Sequence, residues 1–266
     1  MPTQPAQTTQ PRTVLVIGAT GQVGRVVVAE ALERGDAVRA VTRNAARARL
    51  ALLDGAQVVQ ADPASPEALA RVVAGVGTVV LAHGTDSDGR GGQTFYDVVV
   101  ALLDALRATG GTGAHVSLMT TMNASHSAGL GRGGAYGFIE WKRRAERVLR
   151  VSGQPYTIVR PGWFDYQAPS ERRIDLRQGD LTTGQVGVDR RHVAQALLDG
   201  ATVPDGNRRT VEVFSVAGAP VADLEEAFAA TRADADDALD GVLDAHNVPL
   251  TEEPARVQED VARLCS

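Results

Sequence analysis

The sequence predicts an α/β protein built on a doubly wound parallel sheet, with a small C-terminal lobe on the substrate side. Short apolar runs alternate with segments of helical periodicity about six times between residues 14 and 160. The first apolar run leads directly into the glycine-rich turn GATGQVG. Strands separated by helices are typical of a parallel sheet that helices cover on both faces.

Each element follows from its local pattern. Apolar runs predict strands over Val14–Ile17, Ala37–Val41, Gln57–Gln60, Thr78–Ala82, His115–Met119, Tyr156–Arg160 and Thr210–Phe214. Helical spacing predicts helices over Gln22–Arg34, Ala45–Leu53, Pro66–Ala74, Gln93–Ala108, Ile139–Ser152 and Asp189–Leu198. Residues 165–187 are rich in charge and glycine and predict an irregular lobe. The acidic stretch 221–244 suggests a helix, and one more helix is expected between 245 and 266.

Composition narrows the function classes. The chain has 266 residues, a net charge of −5 and one cysteine, Cys265. An acidic chain has no general attraction for nucleic acid or anionic membranes, and a single cysteine cannot form an internal disulfide. We expect a cytoplasmic protein without a membrane span, with a disordered tail over residues 1–11 and a single domain over 12–266. The five histidines show no ligand spacing, so no metal site is predicted.

The glycine turn predicts a dinucleotide site. Gly18 permits a tight exit from the first strand, Gly21 permits close approach to a pyrophosphate, and Gly24 permits close packing of helix on strand. The following helix offers free N–H groups to the phosphates. The alternative is an ordinary strand–turn–helix with incidental glycines, but the βα series that follows favours the dinucleotide.

The second strand favours NADP(H) over NAD(H). An acidic residue at its end would bind the ribose 2′-hydroxyl of NAD, but the strand ends in Thr42 and Arg43. Arg43 is placed to pair with a 2′-phosphate, with Thr42 as a second donor. A solvated loop arginine is the alternative.

Several segments resemble the atypical, NmrA-like branch of the short-chain dehydrogenase/reductase superfamily, which has the NAD(P)-binding Rossmann fold. They are Asp62, VVLAHG at 79–84, WKRRAE at 141–146 and YTIVRPGWF at 156–164. The resemblance covers roughly residues 12–215. Together with the glycine turn, it implies cofactor contacts from Gly18, Thr20, Gly21, Gln22, Val23, Gly24, Thr42, Arg43, Asp62, Ala82, His83, Gly84, Lys142, Pro161, Gly162 and Trp163.

The catalytic residues depart from the family pattern Tyr-x-x-x-Lys. Lys142 matches the lysine that holds the nicotinamide ribose, but Phe138 stands where the tyrosine belongs. Tyr136 is a weaker candidate for proton donor. Thr120 and Thr121, at the end of the fifth strand, match the position that polarises a substrate carbonyl; simple strand propensity explains them equally well.

The resemblance implies an NADPH-dependent reductase that passes hydride to a small, apolar carbonyl, quinone or enone. The missing tyrosine keeps two alternatives open: a non-catalytic NADP(H) sensor, and a non-redox isomerase or cyclase. The family's dimer helices correspond to residues 93–108 and 139–152, so a monomer or a homodimer is expected. Arg143, Arg144, Arg147 and Arg150 predict a solvated helix face or a subunit contact. We expect the last 50 residues to pack over the substrate side.

Overall fold

The computed structural model describes residues 12–84, 91–110, 113–126, 137–181, 184–221, 223–244 and 248–265. The predicted disordered tail over residues 1–11 lies outside these ranges.

One eight-stranded sheet forms the centre of the protein. Its strands are β1 (Thr13–Ile17), β2 (Ala37–Thr42), β3 (Gln57–Gln60), β4 (Thr78–Leu81), β5 (His115–Met119), β6 (Tyr156–Pro161), β8 (Arg173–Arg177) and β10 (Arg209–Val216). The order across the sheet is β3-β2-β1-β4-β5-β6-β10-β8, and only β8 runs antiparallel to its neighbour. β7 (Trp163–Phe164) and β9 (Gly187–Val188) form a separate parallel pair. This order reverses direction between β1 and β4, where Rossmann folds bind their ligands.

Helices cover both faces of the sheet, as predicted. They are α1 (Gln22–Glu33), α2 (Ala45–Ala51), α3 (Pro66–Ala70), α4 (Gly91–Ala108), α5 (Gly137–Val151), α6 (Arg190–Asp199), α7 (Glu225–Ala229) and α8 (Ala255–Leu264). Alternate strand residues point to opposite faces. Leu15 and Ile17 therefore join the apolar core under α3, α4, α5 and α8, while Val14 and Val16 join the core under α1 and α6. None of the helices in the described ranges is both long enough and apolar enough to cross a membrane.

Two segments differ from their predictions. Residues 173–177, expected to be irregular, form the edge strand β8, in which Ile174 is buried and the flanking Arg173 is exposed. Charged residues are common on edge strands, which explains why this one has no continuous apolar run. Among the described residues of the acidic stretch 221–244, only Glu225–Ala229 forms a helix.

The prediction that the arginines of α5 form a solvated face is wrong. Arg143, Arg147 and Arg150 are only 3%, 1% and 7% exposed. They form ion pairs with Glu253, Asp240 and Asp234 of the C-terminal segment. Buried charges of this kind need partners, and here the partners lie 84 to 110 residues further along the chain.

The C-terminal segment also lies elsewhere than predicted. Instead of covering the substrate side, α8 packs along the flank of α4 and α5. Its residues Val257, Val261 and Leu264 belong to the same apolar core as those helices. The Tyr96 hydroxyl of α4 donates a hydrogen bond of 2.8 Å to Asp260.

Candidate functional site: a nucleotide-binding cleft

The glycine turn between β1 and α1 is closely packed against β4. Gly18 has φ +89°, and a Cβ atom there would lie 2.6 Å from the backbone nitrogen of His83. A Cβ on Gly24 would collide with the carbonyl oxygen of Gly18. A Cβ on Gly21 would lie 3.2 Å from the Gly18 oxygen and 4.0 Å from the Ala82 oxygen. The first and third glycines are therefore required by packing, whereas the steric restriction at Gly21 is weaker.

The N-terminus of α1 supplies backbone donors at this turn. The first intrahelical hydrogen bond runs from Arg25 N to Gly21 O, and no side chain caps the helix. The N–H groups of Gln22, Val23 and Gly24 consequently precede any intrahelical acceptor. Such groups and the helix dipole favour a phosphate.

A cavity of about 390 Å³ opens at the carboxyl ends of β1 to β4, next to the turn. Its lining includes nine of the sixteen predicted cofactor residues: Gly18, Thr20, Gly21, Thr42, Arg43, Asp62, Ala82, His83 and Gly84. The lining also includes residues that the sequence did not predict, namely Asn44, Arg47, Thr94, Phe95 and Val98. Arg47 follows Arg43 by four residues, and this spacing is the sequence signal that could have predicted Arg47 as a second cation at the site.

Two arginine side chains lie at the rim of this cavity. Arg43 and Arg47 are both exposed, and within the described ranges neither guanidinium has a hydrogen-bond or ion-pair partner. The backbone around them is held locally. The Thr42 hydroxyl accepts from the Asn44 N–H at 3.1 Å, and the Asn44 side chain accepts from the Arg47 N–H at 3.0 Å. The loop therefore needs neither guanidinium for its own structure.

On the opposite wall of the cavity, His83 stacks on Phe95 with ring centroids 4.6 Å apart. Burial lowers the pKa of His83 to about 4, and the nearby positive charge of Lys142 acts in the same direction. The imidazole is therefore neutral at pH 7. Its Nε2 lies 3.2 Å from the carbonyl oxygen of Phe95 and must be the protonated nitrogen to donate there. Nδ1 is then a buried acceptor, and it has no partner among the described residues.

Lys142 does not line the cavity but lies next to Phe95, which does. Its Nζ is 5.8 Å from the centroid of Phe95 and 5.4 Å from that of Phe138. It also donates to the backbone oxygen of Thr120 at 3.3 Å. This bond joins α5 to the end of β5 and brings Lys142 and the two threonines together.

The role predicted for the Thr120 side chain does not fit its contacts. Thr120 is buried, and its hydroxyl donates to Glu146 Oε1 at 2.6 Å. Its single proton is therefore not available to a substrate carbonyl. Thr121 is half-buried and is the threonine that remains for that role. Tyr136, the other catalytic candidate, lies outside the described residues.

The turn after β6 uses its backbone donors internally. Gly162 N–H bonds to Val213 O and Trp163 N–H to Val186 O, at 3.0 and 2.9 Å. These two N–H groups are therefore not available as donors to a nicotinamide, and the cofactor contacts of Pro161, Gly162 and Trp163 stay a prediction. The Trp163 side chain is exposed and meets Tyr166 edge-on, with centroids 6.0 Å apart.

Behind the site, a group of buried charges surrounds Arg160 of β6. Its guanidinium binds Glu146 of α5 at 2.6 and 3.0 Å and Asp244 at 2.8 Å. Glu212 of β10 lies 3.4 Å away, and burial raises the pKa of Glu212 to about 8. Glu146 thus links Arg160 to the Thr120 hydroxyl.

Comparison with known proteins agrees with this geometry. A family model described as NAD(P)H-binding matches residues 18–204. A solved structure of a short-chain dehydrogenase/reductase from Veillonella parvula, in complex with NADP, has a TM-score of 0.60 at 18% identity. The match covers 77% of this chain and 95% of that one. The predicted fold and the family resemblance are thereby confirmed.

Two curated relatives are chloroplastic proteins. An uncharacterized protein of Arabidopsis thaliana is 28% identical over 235 residues, which cover 82% of this chain and 82% of that protein. Protein TIC 62 of Pisum sativum is 31% identical over 250 residues, which cover 80% of this chain but only 45% of that protein. This chain therefore spans less than half the length of the pea protein. The predicted cytoplasmic location is contradicted by these relatives.

Proposed function

The chain belongs to the NAD(P)H-binding family, and from this membership and the cleft we propose that it is an NADP(H)-dependent oxidoreductase. The proposed reaction is hydride transfer to a small, apolar carbonyl, quinone or enone. The observation that carries the cofactor choice is Arg43, whose guanidinium lies at the rim of the cleft and has no partner among the described residues.

The residues present fit a dinucleotide. Gly21 lines the cavity, and the N-terminus of α1, which no described side chain caps, suits a pyrophosphate. The buried Nδ1 of His83 has no donor among the described residues, and a ribose hydroxyl is a donor of the right kind. A buried acceptor without a partner costs free energy, so a ligand hydroxyl at this wall would stabilise the site.

The end of β2 supports NADP(H) over NAD(H). No carboxylate stands where a 2′-hydroxyl would be bound, since β2 ends in Thr42 and continues into Arg43. A second guanidinium, that of Arg47, lines the same rim. Guanidinium groups bind phosphate through paired, charge-assisted hydrogen bonds, which suits a 2′-phosphate.

In the proposed reaction, the nicotinamide supplies the hydride, and the chain supplies position and proton handling. Lys142 holds the ribose, and its anchor on Thr120 O fixes its direction. Thr121 donates a hydrogen bond to the substrate carbonyl. A water molecule donates the proton that the tyrosine of the family pattern would otherwise give. Trp163 and Phe164 form an apolar wall beside the substrate.

Titration of the purified protein with NADPH, NADP⁺, NADH and NAD⁺ tests the cofactor choice. Wild type should bind the two phosphorylated cofactors more tightly. Arg43→Ala should lower NADPH affinity roughly 10- to 100-fold, the equivalent of about 1.5–3 kcal/mol for charged hydrogen bonds, and leave NADH unchanged. Arg49→Ala is the matched control, because Arg49 is exposed on the adjoining helix α2 but does not line the cavity. Equal binding of NADH and NADPH by wild type would reject the proposal.

One observation favours a second candidate, a non-catalytic NADP(H) sensor. Phe138 lies beside Lys142 where a proton-donating tyrosine would stand. A sensor would bind NADP⁺ and NADPH with different affinities and oxidise neither with any member of a carbonyl and quinone panel. A reductase would consume NADPH with at least one of them, and a non-redox isomerase or cyclase would convert its substrate without net NADPH loss.

We further propose that the protein acts as a monomer. The flank of α4 and α5, which the family resemblance assigns to dimer contacts, is occupied by the protein's own α8. Arg263 of α8 also pairs with Asp104 of α4 and thereby holds α8 there.

A further inference from the structure

Arg190, the first residue of α6, connects the glycine turn to the segment that follows β7. Its guanidinium donates to the side-chain oxygen of Gln22 at 2.8 Å. It also forms a two-pronged ion pair with Asp165, one bond of which measures 2.9 Å. The same group lies 5.0 Å from the ring centroid of Phe164.

This position is next to the phosphate site that the turn provides. Gln22 is the first residue of α1, and its N–H is one of the three uncapped donors there. A guanidinium within hydrogen-bond distance of the Gln22 side chain lies within side-chain reach of an anion bound at those donors. Guanidinium groups bind phosphates and carboxylates through the same paired geometry.

We infer that Arg190 is a pyrophosphate-binding residue and that Asp165 is its built-in competitor. The carboxylate of Asp165 and a pyrophosphate oxygen pair use the same two prongs of the guanidinium, so one anion excludes the other. This inference rests on the proposed function, because it requires a dinucleotide at the turn.

The replacement of Asp165 by a pyrophosphate at Arg190 costs little free energy. The Asp165 side chain is 69% exposed, and exposed ion pairs contribute little net stability. After exchange the Asp165 carboxylate is free to hydrate fully, and Phe164 keeps its contact with the cation. Because Asp165 directly follows Trp163 and Phe164, the exchange also links cofactor binding to the proposed apolar wall.

The first test compares two ligands in calorimetric titrations. NADPH contains a pyrophosphate, whereas adenosine 2′-monophosphate contains only the part that Arg43 would bind. Arg190→Ala should weaken NADPH at least tenfold and leave adenosine 2′-monophosphate unchanged. The matched control is Arg191→Ala, since the Arg191 guanidinium pairs with Glu30 and Glu33 of α1 instead of with the turn.

A second variant separates competition from a structural role. Asp165 has φ +68°, a conformation that asparagine tolerates well, so Asp165→Asn removes the charge without straining the backbone. Competition predicts that Asp165→Asn binds NADPH about threefold more tightly than wild type. A purely structural ion pair predicts equal or weaker binding, and that result would overturn the inference.

The outcomes also separate this inference from the proposed function. If wild type binds NADPH but Arg190→Ala binds it equally well, only the role of Arg190 fails. If Arg190→Ala weakens both ligands alike, the residue acts on the fold and the inference again fails. If wild type binds no NADPH, the proposed function and this inference fail together.

Discussion

Replacing Arg147 by alanine should strongly destabilise the protein, although this arginine lies outside the apolar stripe of its helix. Its guanidinium is 1% exposed and donates to Asp240 at 2.9 and 3.0 Å, to Glu253 at 2.9 Å and to Val248 O at 2.6 Å. Removing one partner of a buried ion pair costs about 3–5 kcal/mol, mainly because the other charge stays buried.

The structure places the cost at the lower end of that range. Glu253 keeps Arg143 at 2.8 Å and Arg144 at 2.7 Å, and Asp240 is 15% exposed and can partly rehydrate. We therefore expect a loss of about 3 kcal/mol, or roughly 6–12 °C in Tm for a chain of this size.

Urea denaturation followed by circular dichroism measures this loss. Arg49→Ala serves as the control and should stay within about 0.5 kcal/mol of wild type, because Arg49 is exposed. A loss below about 1 kcal/mol for Arg147→Ala would mean that the arginine face of α5 is solvated after all.

Three further predictions concern the site, the pH dependence and the oligomeric state. Phe138→Tyr places a hydroxyl beside Lys142 and should raise the rate of NADPH oxidation with a carbonyl substrate, whereas Phe138→Leu should not. Burial raises the pKa of Glu212 from 4.5 to about 8, so the folded state holds a proton that the unfolded chain releases. That contribution to the free energy of unfolding is complete below about pH 4.5 and is lost as the pH rises through 8. In urea titrations at pH 5, 7 and 9, Glu212→Gln should therefore show a smaller decrease in the free energy of unfolding with pH than wild type. Wild type should elute as a monomer in size-exclusion chromatography, while Val257→Asp, which puts a charge into the buried face of α8, should give larger species and the exposed control Ala262→Asp should not.

The parts of the fold that sequence predicts well are those specified by local patterns. β3 and β5 begin and end at the predicted residues, because each is a short apolar run between polar or glycine-rich flanks. The glycine turn is equally local, since the steric demands of Gly18 and Gly24 come from residues of the same βα unit and from the neighbouring β4. Nine of the sixteen predicted cofactor residues line one cavity for the same reason.

The errors arise where a residue's environment is set by a distant part of the chain. Helical periodicity places Arg147 away from the apolar stripe of α5, and a lone amphipathic helix would expose it. Its partners follow about a hundred residues later, Asp240 in the acidic stretch that suggested a helix and Glu253 beyond that stretch. The Thr120 hydroxyl is similar, because its acceptor Glu146 is on the next helix. A hydrophobic pattern does not encode such polar pairings.

These distant pairings bear directly on the site. Lys142 lies on α5, and α5 is held by Glu253, Asp240 and Asp234 from one side and by Arg160 from the sheet. Arg160 reaches Asp244 as well, so one buried guanidinium joins the helix of Lys142 to the C-terminal segment. Because the orientation of Lys142 depends on the position of α5, the acidic residues of that segment act on the site without touching it. The segment thus lies along the flank of α5, where its carboxylates hold the helix that carries Lys142.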